Sequence, residues 1–165
     1  MPARNRTKKN DAITLLKEDH KNVKSMLEDL CSGEQADAGS LMELCSQIEQ
    51  ALKLHTEVEE KLFYPAYRDA AESEDDKVLF FEAVEEHHAV DLILEDLKKA
   101  DPASPSFLAR AKVLDELVRH HIKEEEREMF PRAVKFLGEE RLAEIGRRVA
   151  EMKAQAELAT AGRRS

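Results

Sequence analysis

The sequence predicts an all-α protein, an antiparallel up-down-up-down four-helix bundle followed by an additional C-terminal helix. First, its 165 residues include only 5 Gly and 5 Pro, while 37% are charged and 5% are aromatic, a composition that favours helices over strands. Second, breaker residues near positions 33, 73–76, 101–105 and 138 separate long segments of helical periodicity. Third, the second pair of segments repeats the first pair, as expected for two helical hairpins that close into one bundle.

Each of the four segments carries apolar side chains every three or four residues, which is typical of a helix with one face in a core. The apolar fraction of 42% is enough to build a single core in a chain of this length. We therefore expect the bundle helices at about residues 11–31, 40–64, 75–99 and 106–130.

The chain is expected to divide into a flexible basic N-terminal tail at 1–10, a bundle at 11–137, and a C-terminal helix with its tail at 138–165. The helix after Gly138 carries its own apolar stripe. We expect it to form a lid over the bundle or an oligomer contact.

Composition and charge exclude several classes of protein. A net charge of −9 argues against a nucleic-acid surface, which needs clustered Lys and Arg, and we interpret the basic residues within 4–9 and 163–164 as solvated tails. No apolar run approaches the roughly 20 residues that span a bilayer, and the first ten residues lack the apolar stretch of a signal peptide. We expect a cytoplasmic protein in which Cys31 and Cys45 are reduced thiols.

The internal repeat aligns histidines and carboxylates of the two halves. Residues 19–30 match residues 86–97, and residues 55–65 match residues 121–131. This alignment pairs His20 with His87, His55 with His121, Glu59 with Glu125, and Pro65 with Pro131.

Both His-x-x-x-Glu pairs place an imidazole and a carboxylate one turn apart on a predicted core face. One such pair is common by chance, but a buried carboxylate without a partner costs several kcal/mol, so six polar groups in one core layer need a common explanation. Two metal ions supply the missing positive charge. The predicted metal ligands are His20, His55, Glu59, His87, His121 and Glu125.

With this ligand pattern, the chain resembles the hemerythrin and HHE cation-binding family over about residues 11–137. Each His-x-x-x-Glu is followed by an aromatic-proline pair, Tyr64-Pro65 and Phe130-Pro131, as in that family. The resemblance implies two iron ions, joined by an oxo or hydroxo bridge and two carboxylates, that bind O2 or react with hydrogen peroxide. It also suggests a role in oxidative-stress defence.

The sequence departs from the oxygen-carrying members of that family at two positions. Asp91 stands where they have a fifth histidine, and the second bridging carboxylate is Glu125 at i+4 in place of an Asp at i+5. Each iron would then keep a position for water, O2, peroxide or another side chain. We therefore expect peroxide-decomposing, catalase-like activity, or sensing of O2 or iron, in preference to reversible O2 carriage.

Several residues near the predicted ligands have open roles. Asp91 is either an extra ligand or an ion-pair partner of Lys24, which we favour, and Glu128 is either an acid that supports the ligands or a residue near the bundle end. Tyr64 is expected roughly opposite the ligand face unless Pro65 bends the helix. Exposed or partly exposed positions are expected for His88, His120, Glu60, Glu124 and Glu126.

Other functions compete with peroxide chemistry. A ferritin-like oxidase needs Glu-x-x-His on two helices, and only Glu85-x-x-His88 has that spacing, while a zinc enzyme would need fewer ligands. A sensing or storage module for O2 or iron without turnover remains an alternative, as does a metal-free helical interaction scaffold. The expected small-molecule partner is O2 or hydrogen peroxide, and the expected state is a monomer or weak homodimer without nucleic-acid or membrane contacts.

Overall fold

The computed structural model describes residues 10–32 and 37–162, so the predicted basic tails at 4–9 and 163–164 and the break at Gly33 lie outside the described residues. The described ranges contain no strand, which confirms the all-α prediction. Within them, no helix is both long and apolar enough to cross a bilayer. The helices are α1 (Ala12–Ser32), α2 (Ala38–Val58), α3 (Tyr64–Ala70), α4 (Glu74–Lys99), α5 (Pro105–Glu124) and α6 (Phe130–Gly162).

Side-chain caps fix where three of these helices begin. Asp37 accepts a hydrogen bond from the Ser40 backbone N–H (2.9 Å), which satisfies one of the unpaired amides at the start of α2. Ser73 and Ser104 cap α4 and α5 in the same way. The short connections before α4 and α5 make successive bundle helices antiparallel neighbours.

Two π-helical turns, Glu59–Phe63 and Glu125–Met129, join α2 to α3 and α5 to α6. A proline, Pro65 or Pro131, lies two residues after the end of each π turn. Proline has no N–H to donate, and in a regular α-helix its ring would clash with the carbonyl four residues earlier. The wider turn relieves that clash. The backbone N–H of Tyr64 bonds to the carbonyl of Glu59, five residues earlier, and the N–H of Phe130 bonds to the carbonyl of Glu125 in the same way. The helices therefore continue beyond the ends predicted at 64 and 130.

The core consists of two apolar clusters on either side of one polar layer. Along α1, Leu16 belongs to the first cluster and Val23 to the second, with buried His20 between them. Along α4, Ala83 and Val90 flank buried His87 in the same way. The polar side chains thus lie at one level of the bundle, shielded from water above and below.

The segment after Gly138 packs back onto the bundle of its own chain. Gly138 has φ 70°, a conformation that glycine adopts without strain and that kinks the chain within α6. Beyond it, Leu142, Ile145 and Val149 are buried in the same apolar cluster as Leu16. The segment after Gly138 is therefore part of the apolar cluster that contains Leu16, on one side of the polar layer.

Close approach of this segment to the start of the described chain depends on Gly146. A Cβ atom there would lie 2.2 Å from the backbone oxygen of Asn10 and 2.8 Å from Cα of Asp11. We expect Gly146→Ala to lower the free energy of unfolding by about 1–3 kcal/mol, measured by urea denaturation. Gly162→Ala, where nothing lies within 4 Å of the added Cβ, is the matched control, and equal losses in the two variants would contradict this packing.

Candidate metal centre

The structure brings the six predicted ligands together in the polar layer. The four histidines come from α1, α2, α4 and α5, one from each, and the two glutamates are the first residues of the π turns. All six side chains are buried, and none of these residues is more than 6% exposed. The six predicted ligands in this layer are His20, His55, Glu59, His87, His121 and Glu125.

A first group of ligand atoms gathers around Glu59 and Glu125. His20 Nε2 lies 3.1 Å from Glu125 Oε2, and His55 Nε2 lies 3.1 Å from Glu59 Oε1. One atom from each of these four residues falls within 4.8 Å of all the others. Ligand atoms about 2.1 Å from a common ion lie roughly 3.0–3.4 Å apart, so this spacing suits one cation.

A second group shares Glu59 with the first. The Nε2 atoms of His87 and His121 are 3.2 Å apart, and His87 Nε2 lies 3.2 Å from Glu59 Oε2. Glu59 therefore directs one oxygen towards each group, and Glu125 Oε2 lies between His20 (3.1 Å) and His121 (3.5 Å). Carboxylates shared between two ligand groups in this way could bridge two neighbouring cations.

Each ligand histidine has a carboxylate at its outer nitrogen. A carboxylate there accepts the Nδ1–H hydrogen bond, so the neutral imidazole presents a lone pair at Nε2, which is the state that binds metal. The Nδ1 partners are Glu126 for His20 (2.9 Å), Asp19 for His55 (3.4 Å), Glu60 for His87 (2.9 Å) and Glu86 for His121 (2.7 Å).

Glu60 and Glu126 thus have a role that the sequence interpretation missed, since it assigned them to surface charge. Although partly exposed, both orient a buried imidazole. The repeat held the missing signal, because Glu60 aligns with Glu126, and Asp19 aligns with Glu86. Each half thus supplies two of the four acids, at equivalent positions, as the pseudo-twofold arrangement requires.

Four inward-facing atoms of the polar layer are acceptors without donors. His20 Nε2, His55 Nε2, Glu59 Oε1 and Glu125 Oε2 are buried and have no hydrogen-bond partner among the described residues. Such groups are costly to bury, and the adjacent lone pairs repel each other. Cations relieve that repulsion, and a set of imidazole and carboxylate donors suits iron as well as zinc or manganese.

Without metal, protons would take the same place. Burial opposes protonation of His55, but the negative charge of Glu59 and hydrogen bonds to Asp19 and Glu59 raise its pKa from 6.5 to about 10. Burial likewise opposes protonation of His121, whereas Glu125 and Glu86 raise its pKa to about 9. The polar layer therefore demands positive charge, whether from metal ions or from protons.

Tyr64 also reaches the polar layer, and the prediction that it lies opposite the ligand face is wrong. Its hydroxyl donates a hydrogen bond to Glu125 Oε1 (2.8 Å) and lies 3.4 Å from Glu59 Oε2 and from His87 Nε2. In the π turn, residues five apart share a face, which places Tyr64 beside Glu59. Burial and the charges of Glu125 and Glu59 raise its pKa well above 10, so the phenol keeps its proton.

The equivalent residue in the second half is Phe130. Its ring stacks on His20 with centroids 5.7 Å apart and planes 5° apart, as the Tyr64 ring stacks on His87 at 5.5 Å and 13°. The two halves therefore support their ligands with the same aromatic contact. Only the Tyr64 hydroxyl breaks this symmetry, and it does so on the side of the second ligand group.

Asp91 and Glu128 lie outside the polar layer. Asp91 is exposed and is in neither ligand group, because α4 turns Val90 and Leu94 inward instead; the favoured ion pair with Lys24 is not among the contacts of the described residues. Glu128 is exposed and pairs with Arg132 (3.2 Å), because the π turn buries Met129 in its place. Neither residue can act on the ligands directly.

His88 and His120 are both exposed. His120 contacts Glu86 (3.4 Å) and Glu124 (3.3 Å), so the three side chains form a separate group at the surface beside His121.

Three comparisons bear on this arrangement. The family model described as the hemerythrin HHE cation binding domain matches residues 11–133. A solved structure from Mycobacterium kansasii, a hemerythrin HHE cation binding domain-containing protein, superimposes with a TM-score of 0.76 over 94% of this chain and 93% of its own, at 24% identity. That likeness shows a shared fold.

A curated protein named DNA nickase, from Nostoc sp., is 28% identical over 116 residues. The match covers 70% of this chain, which spans only 31% of the length of that relative. The match to the family model takes in all six polar-layer ligands, and by it the chain belongs to the hemerythrin HHE cation-binding domain family.

Proposed function

We propose that the polar layer holds two iron ions and that the protein decomposes hydrogen peroxide as part of oxidative-stress defence. The observation that supports this proposal is the convergence of four Nε2 lone pairs and two carboxylates into two groups that share Glu59. Two such groups of ligand atoms support two bound ions. When bound by such ligands, iron supplies the one-electron chemistry that O2 and peroxide require.

The surroundings of the ligands favour a small substrate. A small cavity beside the four histidines is lined by five apolar side chains together with the four imidazoles and Thr56. A cavity this small suits a molecule the size of O2 or hydrogen peroxide. The apolar lining residues are Val23, Leu52, Val90, Val118 and Ile122.

Tyr64 favours reaction over simple binding. Its phenol holds a proton at the edge of the second ligand group, between Glu125 and His87, and a positioned proton donor accelerates bond cleavage in a bound substrate. Turnover of peroxide balances as two hydrogen peroxide molecules giving two water molecules and one O2.

Metal analysis and peroxide addition test this function. We expect two iron ions per chain and O2 evolution from hydrogen peroxide. Glu59→Ala, which removes a ligand from both groups, should lose most of the iron and the activity, while His88→Ala, an exposed neighbour of His87, should keep both. Less than one iron per chain would refute the metal centre, and reversible O2 spectra without turnover would favour the binding or sensing module.

A Tyr64→Phe variant separates metal binding from reaction. Phenylalanine already occupies the equivalent position at 130, so the substitution should fit, keep both iron ions and cost about 1 kcal/mol for the lost hydrogen bond. Loss of the proton donor should slow peroxide consumption by about tenfold or more. An unchanged rate with full iron content would remove Tyr64 from the reaction.

The metal-free protein should lose stability at alkaline pH. The folded pKa values of His55 and His121, about 10 and 9, lie above their ordinary value of 6.5. Their contribution is therefore complete below pH 6.5 and is lost as pH rises through 9 to 10, by up to about 1.4 kcal/mol per pH unit for each group. Urea denaturation of chelator-treated protein from pH 6 to 10 measures this loss.

The iron-loaded protein is the control for this titration, because metal replaces protons within the polar layer while the titrating groups outside it are unchanged. It should lose stability on the acid side instead, where protons compete with metal for the imidazoles. Parallel alkaline losses in the two forms would show that other groups cause them.

A further inference from the structure

Beside the buried centre, Glu86, His120 and Glu124 form a second group of ligand atoms that are partly open to solvent. His120 Nε2 lies 3.4 Å from Glu86 Oε1 and 3.3 Å from Glu124 Oε1, and the three ligand atoms fall within 4.8 Å of one another. The side chains are 57%, 17% and 28% exposed for His120, Glu86 and Glu124. We call these three residues the outer group.

The spacing in the outer group suits a cation better than direct hydrogen bonds. Distances of 3.3–3.4 Å exceed the 2.9–3.0 Å that N–H···O bonds favour. They match the roughly 3.0–3.4 Å between two ligands of one divalent ion. One imidazole and two carboxylates form a donor set that Fe2+, Mn2+, Co2+ and Zn2+ accept.

The excess of negative charge in the outer group also favours binding of a cation. Two carboxylates, those of Glu86 and Glu124, lie within ion-pair distance of the single imidazole of His120. Among the described residues, the ion pairs of Glu86 and Glu124 are formed only with His120 and His121. A bound divalent ion would supply the charge that no nearby lysine or arginine provides.

The internal repeat offers a comparison within the same chain. The equivalents of Glu86, His120 and Glu124 in the first half are Asp19, Leu54 and Val58. There the carboxylate is neutralised by Lys153 of α6 and the other two positions are apolar. Asp19 and Glu86 make the same contact with a histidine of the polar layer. Only the second half, however, has side chains that can bind metal at all three positions.

Glu86 connects the outer group to the buried centre. One of its oxygens accepts the Nδ1–H of His121 (2.7 Å) and the other faces His120. The ligands of the centre are at most 6% exposed, so an ion must approach from a more open position. The outer group is such a position, and the Glu86 carboxylate joins it directly to His121.

We propose that the outer group binds a divalent cation and serves as the site where iron is taken up on its way to the buried centre. The binding site stands on the geometry of Glu86, His120 and Glu124 alone, whereas the uptake role rests on the proposed function.

Equilibrium dialysis of iron-loaded protein against Co2+ tests the binding site. We expect one Co2+ per chain in addition to the iron, bound at least tenfold more weakly by His120→Ala and by Glu124→Gln. The exposed His88→Ala variant is the matched control and should bind Co2+ as the unaltered protein does. No additional Co2+, or equal affinity in all four proteins, would overturn the site.

The rate of Fe2+ incorporation into metal-free protein tests the uptake role. His120→Ala should fill the buried centre several-fold more slowly, yet reach the same final iron content as His88→Ala. Equal rates would overturn the uptake role. Absence of iron from the unaltered protein would instead refute the proposed function, and the Co2+ difference between variants distinguishes that failure from failure of the outer site.

Discussion

The hydrogen bond between each ligand imidazole and an outer carboxylate is the interaction on which the rest of this structure depends. By accepting the Nδ1–H, the carboxylates at Glu126, Asp19, Glu60 and Glu86 turn all four Nε2 lone pairs inward. Those lone pairs then face one another and two buried glutamates, an arrangement that is stable only with added positive charge. Apolar clusters on both sides keep water from supplying that stabilisation.

The fold could be predicted from the sequence, and so could the convergence of the six polar side chains, because both follow largely from regular helical geometry. His55 and Glu59 are four residues apart within or at the end of a regular helix, so the i,i+4 rule places them together. His20 and His87 have no such local partner, and the internal repeat was needed to identify them. Two weak motifs became one strong pattern once the halves were aligned.

The positions of Tyr64 and Glu128 follow from departures from regular helical geometry and were not predicted. Each π turn adds one residue to a helical turn and so rotates everything after it, which brings Tyr64 inward and moves Glu128 outward. The prolines at 65 and 131 mark the irregularity but do not say whether the helix will kink, end or widen there. Partly exposed Glu60 could not be distinguished from ordinary surface charge without the position of His87.

The contact between Lys153 and Asp19 also bears on when the site becomes complete. Asp19 orients His55, and Lys153 binds its other oxygen from a position 134 residues later in the chain. Contacts between such distant residues form late in folding, because much of the chain must first be ordered. A chain still being synthesised before residue 153 therefore lacks part of the support for His55, so the orientation of this imidazole is complete only in the finished fold.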